Sequence, residues 1–286
     1  MFKERRYAWR GVVSRTYRVN SSLVRSLTIG GGRRAALTLP REDQVRTREE
    51  LLLQEARKWG IGLEVSRPTD FHLLAILQHY GVPTRLLDVT SNPLTALWFA
   101  CQSASTPDVD GALFAFDITD FPQYNTFTYS EEAYADGRPL TLASALRRSI
   151  EEELPFILRP TFKDARMQAQ EGFFISGAVP TRTDIDGVDG IPIPGALAPP
   201  GVDAFRCLFD PSCPTAKGRP NRLPFAVLSI PAGVKRSMVT YLEGTFNRSM
   251  RTLFPDVQGF RDAVRAGLVD SERRKHLRPV LRPGHK

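Results

Sequence analysis

Residues 78–101 read QHYGVPTRLLDVTSNPLTALWFAC, and this order of residue types predicts the end of one helix, a strand and a second helix. Apolar residues recur at helical spacing over residues 69–80, and Gly81 follows as the residue that ends the helix. Residues 84–89, TRLLDV, predict a strand. A capping residue and a proline then open an apolar helix over residues 93–104. Helices and strands therefore alternate in this segment.

The same alternation continues on both sides of the segment. Further strands are predicted at residues 7–13, 111–118, 155–160, 172–176 and 225–231. Further helices are predicted at residues 21–27, 40–59, 140–153, 164–170, 234–242 and 257–267. Together these elements predict an α+β fold in which a mixed β-sheet forms the core and helices flank it.

Glycine and proline are dense between residues 177 and 224, where the sequence GIPIPGALAPPG occurs. A connection of this length inside a domain is typical of a lid, an insertion or disorder. We therefore predict a domain core at residues 1–176, a Pro/Gly-rich insertion or lid at 177–224, and a strand and helices that complete the core at 225–270. A basic tail follows at 271–286.

The composition is that of an ordered globular protein, with 42% hydrophobic and 24% charged residues. The N-terminal sequence MFKERRYAWRG carries charges where a signal peptide has its apolar segment, and no apolar run approaches the roughly 18 residues of a membrane span. The three cysteines (Cys101, Cys207 and Cys213) are an odd number and show no zinc-ligand spacing. We expect a cytoplasmic protein with no metal site and no membrane partner.

The net charge of +8 permits an anionic partner such as nucleic acid. The positive residues are spread along the chain, and arginine is strongly preferred to lysine. The same distribution is also expected of an ordinary solvated surface. Charge alone therefore leaves both interpretations open.

Five motifs, in the expected order, resemble the FRG-domain family, which is named for a Phe-Arg-Gly-like motif near its start. One of them is SLVRSL at residues 22–27, in which Arg25 carries the resemblance. The block at residues 78–101 carries the strongest resemblance. WRGV at residues 9–12 matches the naming motif, with Trp9 in place of the usual phenylalanine. ARMQAQEGFF at residues 165–174 and TLFPDVQGF at residues 252–260 complete the pattern. The chain is identified on these motifs as a member of the FRG-domain family.

The layout of the family is similar to that of ADP-ribosyltransferases, which hold NAD between strands of a split sheet. This similarity implies an NAD-consuming transferase that acts as a toxin or phage-defence effector on a macromolecular acceptor, including nucleic acid. A toxin of this kind is compatible with a neutralising protein partner, and the sequence leaves open whether one exists. The sequence gives no indication of the oligomeric state.

The resemblance points to NAD-binding residues in the first half of the chain. Cleavage of NAD needs a clamp on the pyrophosphate, and Arg10 is the candidate because a guanidinium binds phosphate oxygens bidentately. A structural ion pair is the alternative role for Arg10. Gly11 is expected to offer its backbone to the nicotinamide amide, and Tyr80 either stacks on the nicotinamide ring or packs on an apolar helix face. His79 or Arg85 is expected to contact ribose or phosphate.

The remaining candidates are acids, amides and a hydroxyl. Asp88 and Thr90 lie two residues apart on one face of the predicted strand, so they either bind the cofactor together or form a salt bridge and a helix cap. Gln170 or Glu171 is the candidate for the catalytic acid or amide near the ribose, together with Arg10. Arg166 either contacts a phosphate or stabilises a helix end.

A non-catalytic module that binds nucleic acid or protein is the alternative function. In that case the block at residues 78–101 is a folding core, and binding depends steeply on salt but on neither NAD nor Arg10. A purely structural scaffold has no positive signature in the sequence.

Overall fold

The structure, a computed structural model, describes residues 4–28, 38–62, 68–102, 109–125, 134–135, 138–139, 141–161, 164–180, 191–192 and 225–265. Their strands are β1 (Tyr7–Val12), β2 (Leu87–Thr90), β3 (Gly111–Asp117), β4 (Gln123–Asn125), β5 (Tyr134–Ala135), β6 (Arg138–Pro139), β7 (Phe156–Arg159), β8 (Gly172–Ser176) and β9 (Phe225–Ile230). Their helices are α1 (Ser22–Leu27), α2 (Glu42–Lys58), α3 (Asp70–His79), α4 (Pro93–Cys101), α5 (Leu142–Glu152), α6 (Ala165–Ala169), α7 (Ala232–Phe246), α8 (Met250–Leu253) and α9 (Val257–Arg265).

Seven strands form one mixed sheet in the order β4-β7-β8-β2-β1-β3-β9, and β5 pairs with β6 separately. The pair β4 and β7 is parallel, whereas the other neighbours in the large sheet are antiparallel. The predicted α+β class with a mixed sheet and flanking helices is therefore confirmed. The last strand, β9, pairs with β3 along its length, so the chain beyond residue 224 adds to the same sheet.

The sheet separates two apolar cores because successive side chains of a strand point to opposite faces. On β8, Phe173 and Ile175 join one core cluster, whereas Phe174 joins the other. The second cluster is covered by α2, α3 and α5, which contribute residues such as Leu53 and Phe71. Burial of apolar surface on both faces is the main force that holds the central strands in place.

Capping residues account for the helix starts that the sequence predicts. The side chains of Ser21, Thr69 and Asn92 accept hydrogen bonds from backbone N–H groups in the first turns of α1, α3 and α4. Gly60 and Gly81 follow α2 and α3 with positive φ angles of 72° and 79°, a conformation that glycine adopts without steric cost. These predicted helix boundaries are confirmed to within about two residues, as expected for frayed ends.

Some predicted boundaries are wrong. The strand predicted at residues 84–89 begins only at Leu87, because the Thr84 hydroxyl accepts from the Leu86 N–H and forms a turn instead. The helix predicted to reach residue 104 ends at Cys101. The short elements β4, β5, β6 and α8 were not predicted, since each has too few residues to show a period. The predictions for residues 177–224 and 271–286 lie almost wholly outside the described residues.

Helix α7 and the segment after it pack against α4. Trp98, Leu242 and Leu253 form a buried cluster, and Phe254 packs on its edge. Gly259 permits the close approach of α9, because a Cβ atom there would overlap the Phe254 backbone and side chain. This contact brings α9 to the side of the sheet where β1 and β2 meet.

Candidate functional site

A cavity of about 460 Å³ opens at the centre of the sheet, where β1 and β2 meet. The residues that line it include most of those predicted from the sequence: Arg10, Gly11, His79, Tyr80, Asp88, Thr90, Arg166 and Gln170. They come from β1, β2, the end of α3, and α6 with the turn that follows it. We call this cavity the central cleft.

The pairing of the two central strands explains the position of the central cleft. β1 and β2 are paired only at Trp9 opposite Thr90, whereas residues from Tyr7 to Val12 all pair with β3 on the other side. Beyond Trp9, the described part of β1 therefore has no backbone partner on its β2 side. The side chain of Arg10 lies in this opening.

Arg10 bridges the two strands without forming a carboxylate ion pair among the described residues. Its Nη1 atom donates to the backbone oxygen of Asp88 at 2.6 Å. Its Nε atom is buried and has no hydrogen-bond partner among the described residues. The pKa of Arg10 lies below its ordinary value, mainly because burial disfavours the charged guanidinium. The negative charge of nearby Asp88 opposes this effect, whereas the positive charge of nearby Arg25 adds to it. A buried donor without a partner is costly, so this guanidinium is suited to an anionic ligand.

Gly11 has a structural reason to be glycine. A Cβ atom at this position would overlap the carbonyl oxygen of Ala96 in α4. The close contact between β1 and α4 therefore requires glycine whether or not its backbone contacts a ligand. The predicted contact with the nicotinamide amide stays a prediction.

Asp88 is the carboxylate that lines the central cleft in the described part of the chain. Its Oδ2 atom accepts from Gln78 Nε2 at 2.7 Å, and Gln78 Oε1 in turn accepts from the Thr84 hydroxyl at 2.6 Å. Neither Arg85 nor Arg10 forms the predicted salt bridge with it. Gln78 thus holds the Asp88 carboxylate in place, a role that the sequence did not reveal because the two residues belong to different elements.

Thr90 is committed to the fold. Its hydroxyl donates to the backbone oxygen of Gln170 at 2.7 Å and accepts from the Asn92 N–H at 3.0 Å. The second bond supports the start of α4, as the predicted capping alternative requires. Thr90 therefore joins β2 to the turn before β8, and this tie places Gln170 at the central cleft.

Gln170 and Glu171 are separated by the structure. Gln170 lines the central cleft and donates from Nε2 to the backbone oxygen of Leu253 at 3.0 Å. Glu171 has a left-handed backbone with φ of 50° and is not among the lining residues. Its carboxylate instead accepts from Asn92 at 2.8 Å and from Arg248 at 3.2 Å. Of the two predicted catalytic candidates, only Gln170 reaches the central cleft.

His79 and Tyr80 form one wall of the central cleft. Tyr80 is 70% exposed, because it follows the last residue of α3 and lies off the apolar face of that helix. The packing alternative for Tyr80 is therefore wrong. The His79 ring meets the Tyr80 ring edge-on at 5.0 Å, and its Nε2 atom lies 3.3 Å from Asp164. An exposed aromatic ring beside a cavity is available for stacking.

The structure does not bring Arg85 to the central cleft. Arg85 is 4% exposed, and its guanidinium binds Glu49 at 2.8 Å and Glu42 at 3.2 Å. Burial lowers the pKa of Arg85, but attraction by the two glutamates outweighs it, so the pKa lies above its ordinary value. The expected contact with ribose or phosphate is corrected to a buried ion pair. Arg85 can bind both glutamates because Glu42 and Glu49 are seven residues apart on one face of α2.

The lining of the cleft also includes residues of α6 and of the C-terminal segment. Arg166 lies over the Phe254 ring at 4.4 Å, a cation–π contact. Gln258 of α9 also lines the cleft, although no role for it was predicted from its residue type or motif. The TLFPDVQGF motif predicts docking of a C-terminal helix, and only the structure shows that this helix borders the cleft.

The described residues contain no group of three or more His, Cys, Asp or Glu side chains arranged to hold a metal ion. None of the helices in the described part of the chain is both long and apolar enough to cross a membrane.

Comparison with known proteins gives one match. Residues 5–109 match the sequence model of the FRG domain, a range that contains the candidates from Arg10 to Thr90 but neither Gln170 nor Glu171. No curated protein and no solved structure matches the chain significantly. The resemblance carried by WRGV and by the block at residues 78–101 is thereby confirmed, and this protein contains an FRG domain at residues 5–109.

Proposed function

We propose that the central cleft binds NAD and that the protein transfers ADP-ribose to a macromolecular acceptor, as an ADP-ribosyltransferase does. The observation that carries this proposal is the meeting of Arg10, Asp88 and Tyr80 on one cavity of about 460 Å³. A cation, an anion and an exposed aromatic ring from three elements border the same space. Cavities of this size, with a few convergent polar groups, are typical of small-molecule sites.

The proposed reaction assigns a role to the carboxylate. Transfer breaks the bond between the ribose C1′ atom and the nicotinamide nitrogen, and the electron pair leaves with neutral nicotinamide. Positive charge develops on the ribose until a nucleophilic acceptor atom bonds to C1′ and loses its proton. A carboxylate fixed beside the ribose stabilises that charge. We assign this role to Asp88, because Gln78 already holds its Oδ2 atom while Oδ1 has no hydrogen-bond partner among the described residues.

The guanidinium of Arg10 is assigned to the pyrophosphate. One Nη atom is used by the Asp88 carbonyl, which fixes the orientation of the planar group. The buried Nε atom and the remaining Nη donors are left for phosphate oxygens. Tyr80 is assigned to the nicotinamide ring, because its side chain is exposed at the rim. Gln170 completes the site as an amide near the ribose.

A nucleic-acid acceptor is supported by charge. The chain carries a net charge of +8, and Arg166 adds a second guanidinium to the central cleft. Basic surfaces concentrate nucleic acid near a site. A toxin or phage-defence role follows from modification of such an acceptor, and a neutralising protein partner belongs to the same proposal.

One observation favours the second candidate function, a non-catalytic binding module. Thr90 and the Gln170 amide nitrogen are already hydrogen-bonded within the fold, so part of the FRG motif set serves folding. Under this alternative, nucleic acid binds with a steep salt dependence and NAD has no effect.

The test measures NAD affinity by calorimetry and nicotinamide release by chromatography, with RNA, DNA and protein as acceptors. Arg10→Ala is expected to weaken NAD binding about 10- to 100-fold, the value of a charged hydrogen bond of about 1.5–3 kcal/mol. Asp88→Asn is expected to slow nicotinamide release more than it weakens binding. Arg147→Ala is the matched control, because Arg147 is exposed on α5 and is not among the residues that line the central cleft. Wild-type protein that neither binds nor consumes NAD would refute the proposal.

A further inference from the structure

A second cavity, of about 550 Å³, also has Arg10 in its lining. We call it the arginine pocket, because its lining includes Arg10, Arg18 and Arg25 together with Tyr17, Asn20 and Thr28. No carboxylate is among its lining residues in the described part of the chain. The sequence assigned no function to Arg18, Arg25 or Tyr17.

The charges of the arginine pocket are suited to an anion. Arg25 lies near enough to Arg10 to disfavour its charged form, so the two guanidinium groups repel each other. An anion placed between like charges relieves this repulsion and gains charge-assisted hydrogen bonds. Phosphate suits the geometry because guanidinium groups bind it bidentately.

The guanidinium of Arg25 is held in position before any ligand binds. Its Nη1 atom donates to the backbone oxygen of Asn20 at 2.6 Å and lies 3.4 Å from the Asn20 side-chain oxygen. Asn20 itself is only 4% exposed, so it is a fixed anchor. A donor that is already ordered loses less conformational entropy on binding. The buried, unpartnered Nε atom of Arg10 supplies a second fixed donor at the border of the pocket.

The arginine pocket and the central cleft share one residue, Arg10. A ligand whose phosphates meet Arg10 can therefore extend into both cavities. Each cavity, at about 550 and 460 Å³, is within the range of a small-molecule site. A dinucleotide has this shape, with two nucleoside halves joined through phosphates.

We propose that the arginine pocket binds an adenylate group, which is the adenosine monophosphate half of NAD in the function proposed above. The phosphate lies between Arg10 and Arg25, and the adenine stacks on Tyr17, a residue that is 51% exposed. This proposal rests on the function proposed above only in naming NAD as the complete ligand; binding of adenosine monophosphate can be tested without it. It adds a specificity element outside the central cleft.

The experiment uses two half-ligands with the full chain. Adenosine monophosphate probes the arginine pocket, and nicotinamide mononucleotide probes the central cleft, each by calorimetry. Arg25→Gln is expected to weaken adenosine monophosphate binding about 10-fold or more, as expected for a lost charged hydrogen bond, and to leave nicotinamide mononucleotide binding unchanged. Tyr17→Ala is expected to weaken the same ligand without removing a charge. Arg147→Gln is the matched control, and thermal unfolding checks that each variant is folded.

The possible outcomes separate this inference from the proposed function. If adenosine monophosphate binds through Arg25 but NAD is neither bound nor consumed, the pocket assignment stands and the NAD function fails. If nicotinamide mononucleotide binds but adenosine monophosphate does not, the pocket assignment is overturned. It is also overturned if Arg25→Gln and Tyr17→Ala leave adenosine monophosphate affinity unchanged. A single-stranded oligonucleotide serves as a third probe, and the assignment is overturned if Arg25→Gln weakens only the binding of that probe.

Discussion

Replacement of Arg85 by methionine is expected to destabilise the fold at neutral pH and to leave NAD binding intact. The reason is that Arg85 lies inside the protein against Glu49 and Glu42 and does not line the central cleft. The opposite result would be expected if Arg85 bound ribose or phosphate. This substitution therefore distinguishes a folding role from a ligand role at one position.

The size of the effect follows from the burial of the partners. The Glu49 side chain is 2% exposed, whereas that of Glu42 is 15% exposed and partly solvated. Removal of one partner from a buried ion pair costs about 3–5 kcal/mol, and most of that cost falls on Glu49. We expect a loss near the lower end, about 3 kcal/mol, because a buried glutamate can take up a proton. Such a loss is a large fraction of the about 5–15 kcal/mol that stabilises a typical protein.

The same substitution is expected to change how stability depends on pH. Burial raises the pKa of Glu49, and Arg85 opposes this effect in the wild-type protein. Without Arg85, the pKa of folded Glu49 rises further above its value in the unfolded chain. The folded variant then binds a proton more tightly than the unfolded chain does, so its stability is regained as the pH falls through the raised pKa. The difference from wild type is therefore largest at neutral pH and smaller in acid.

The measurement is urea unfolding of both proteins in a series of buffers from neutral to acidic pH. Calorimetric NAD titration of the folded proteins accompanies it. Arg85→Met with Glu49→Leu is the control, because replacing both partners by apolar residues is expected to recover most of the lost stability. Unchanged stability of the single variant, or a stability loss that does not shrink in acid, would contradict the buried-pair explanation. Loss of NAD affinity in a variant of wild-type stability would restore Arg85 to the ligand site.

Three further substitutions test the surroundings of the central cleft. Gly11→Ala is expected to lower the free energy of unfolding in urea by about 3 kcal/mol, because the added Cβ atom would overlap the backbone of α4. Gly244→Ala in α7 is the control. Its Cβ atom meets no atom within 4 Å, so it should raise the free energy of unfolding by about 0.5–1 kcal/mol. Gln78→Leu removes the hydrogen bond to Asp88. We expect kcat/KM for NAD cleavage to fall about 10-fold, which is the kinetic equivalent of one hydrogen bond. NAD affinity is expected to change less. Glu171→Gln should leave the rate of NAD cleavage within about 2-fold of wild type; a fall as large as that of Asp88→Asn would show that Glu171 reaches the substrate.

Local sequence signals predicted the elements of the fold well. Asn92 and the proline after it start α4 by rules that act within one helical turn, and Gly81 ends α3 by its backbone freedom alone. The strand predicted at residues 111–118 is β3, which runs from Gly111 to Asp117. The strand order was not predictable, because β2 lies between β1 and β8 through contacts far apart in the chain.

The candidate site was predicted only in part, for a similar reason. Arg10, Asp88 and Gln170 were identified by residue type and by family motifs, and the structure brings them to one cavity. Arg85 was assigned to the ligand because an arginine in a motif suggests a phosphate contact. Its true partner, Glu49, is 36 residues earlier in the chain and belongs to another helix. Ion pairs of this kind leave no local pattern, so residue type alone cannot separate a buried arginine from a binding one.

The weak pairing between β1 and β2 connects the fold to the proposed chemistry. A fully paired strand at β1 would satisfy its backbone groups and leave no space for a side chain between it and β2. Because pairing stops at Trp9, the next residue places a guanidinium in the opening, where it binds the Asp88 carbonyl and borders both cavities. Lysine would not serve equally, since its donors share one nitrogen and cannot reach a carbonyl and a phosphate on opposite sides. The break in pairing and the arginine that follows it therefore act as one feature: the sheet opens at the residue best able to hold an anion there.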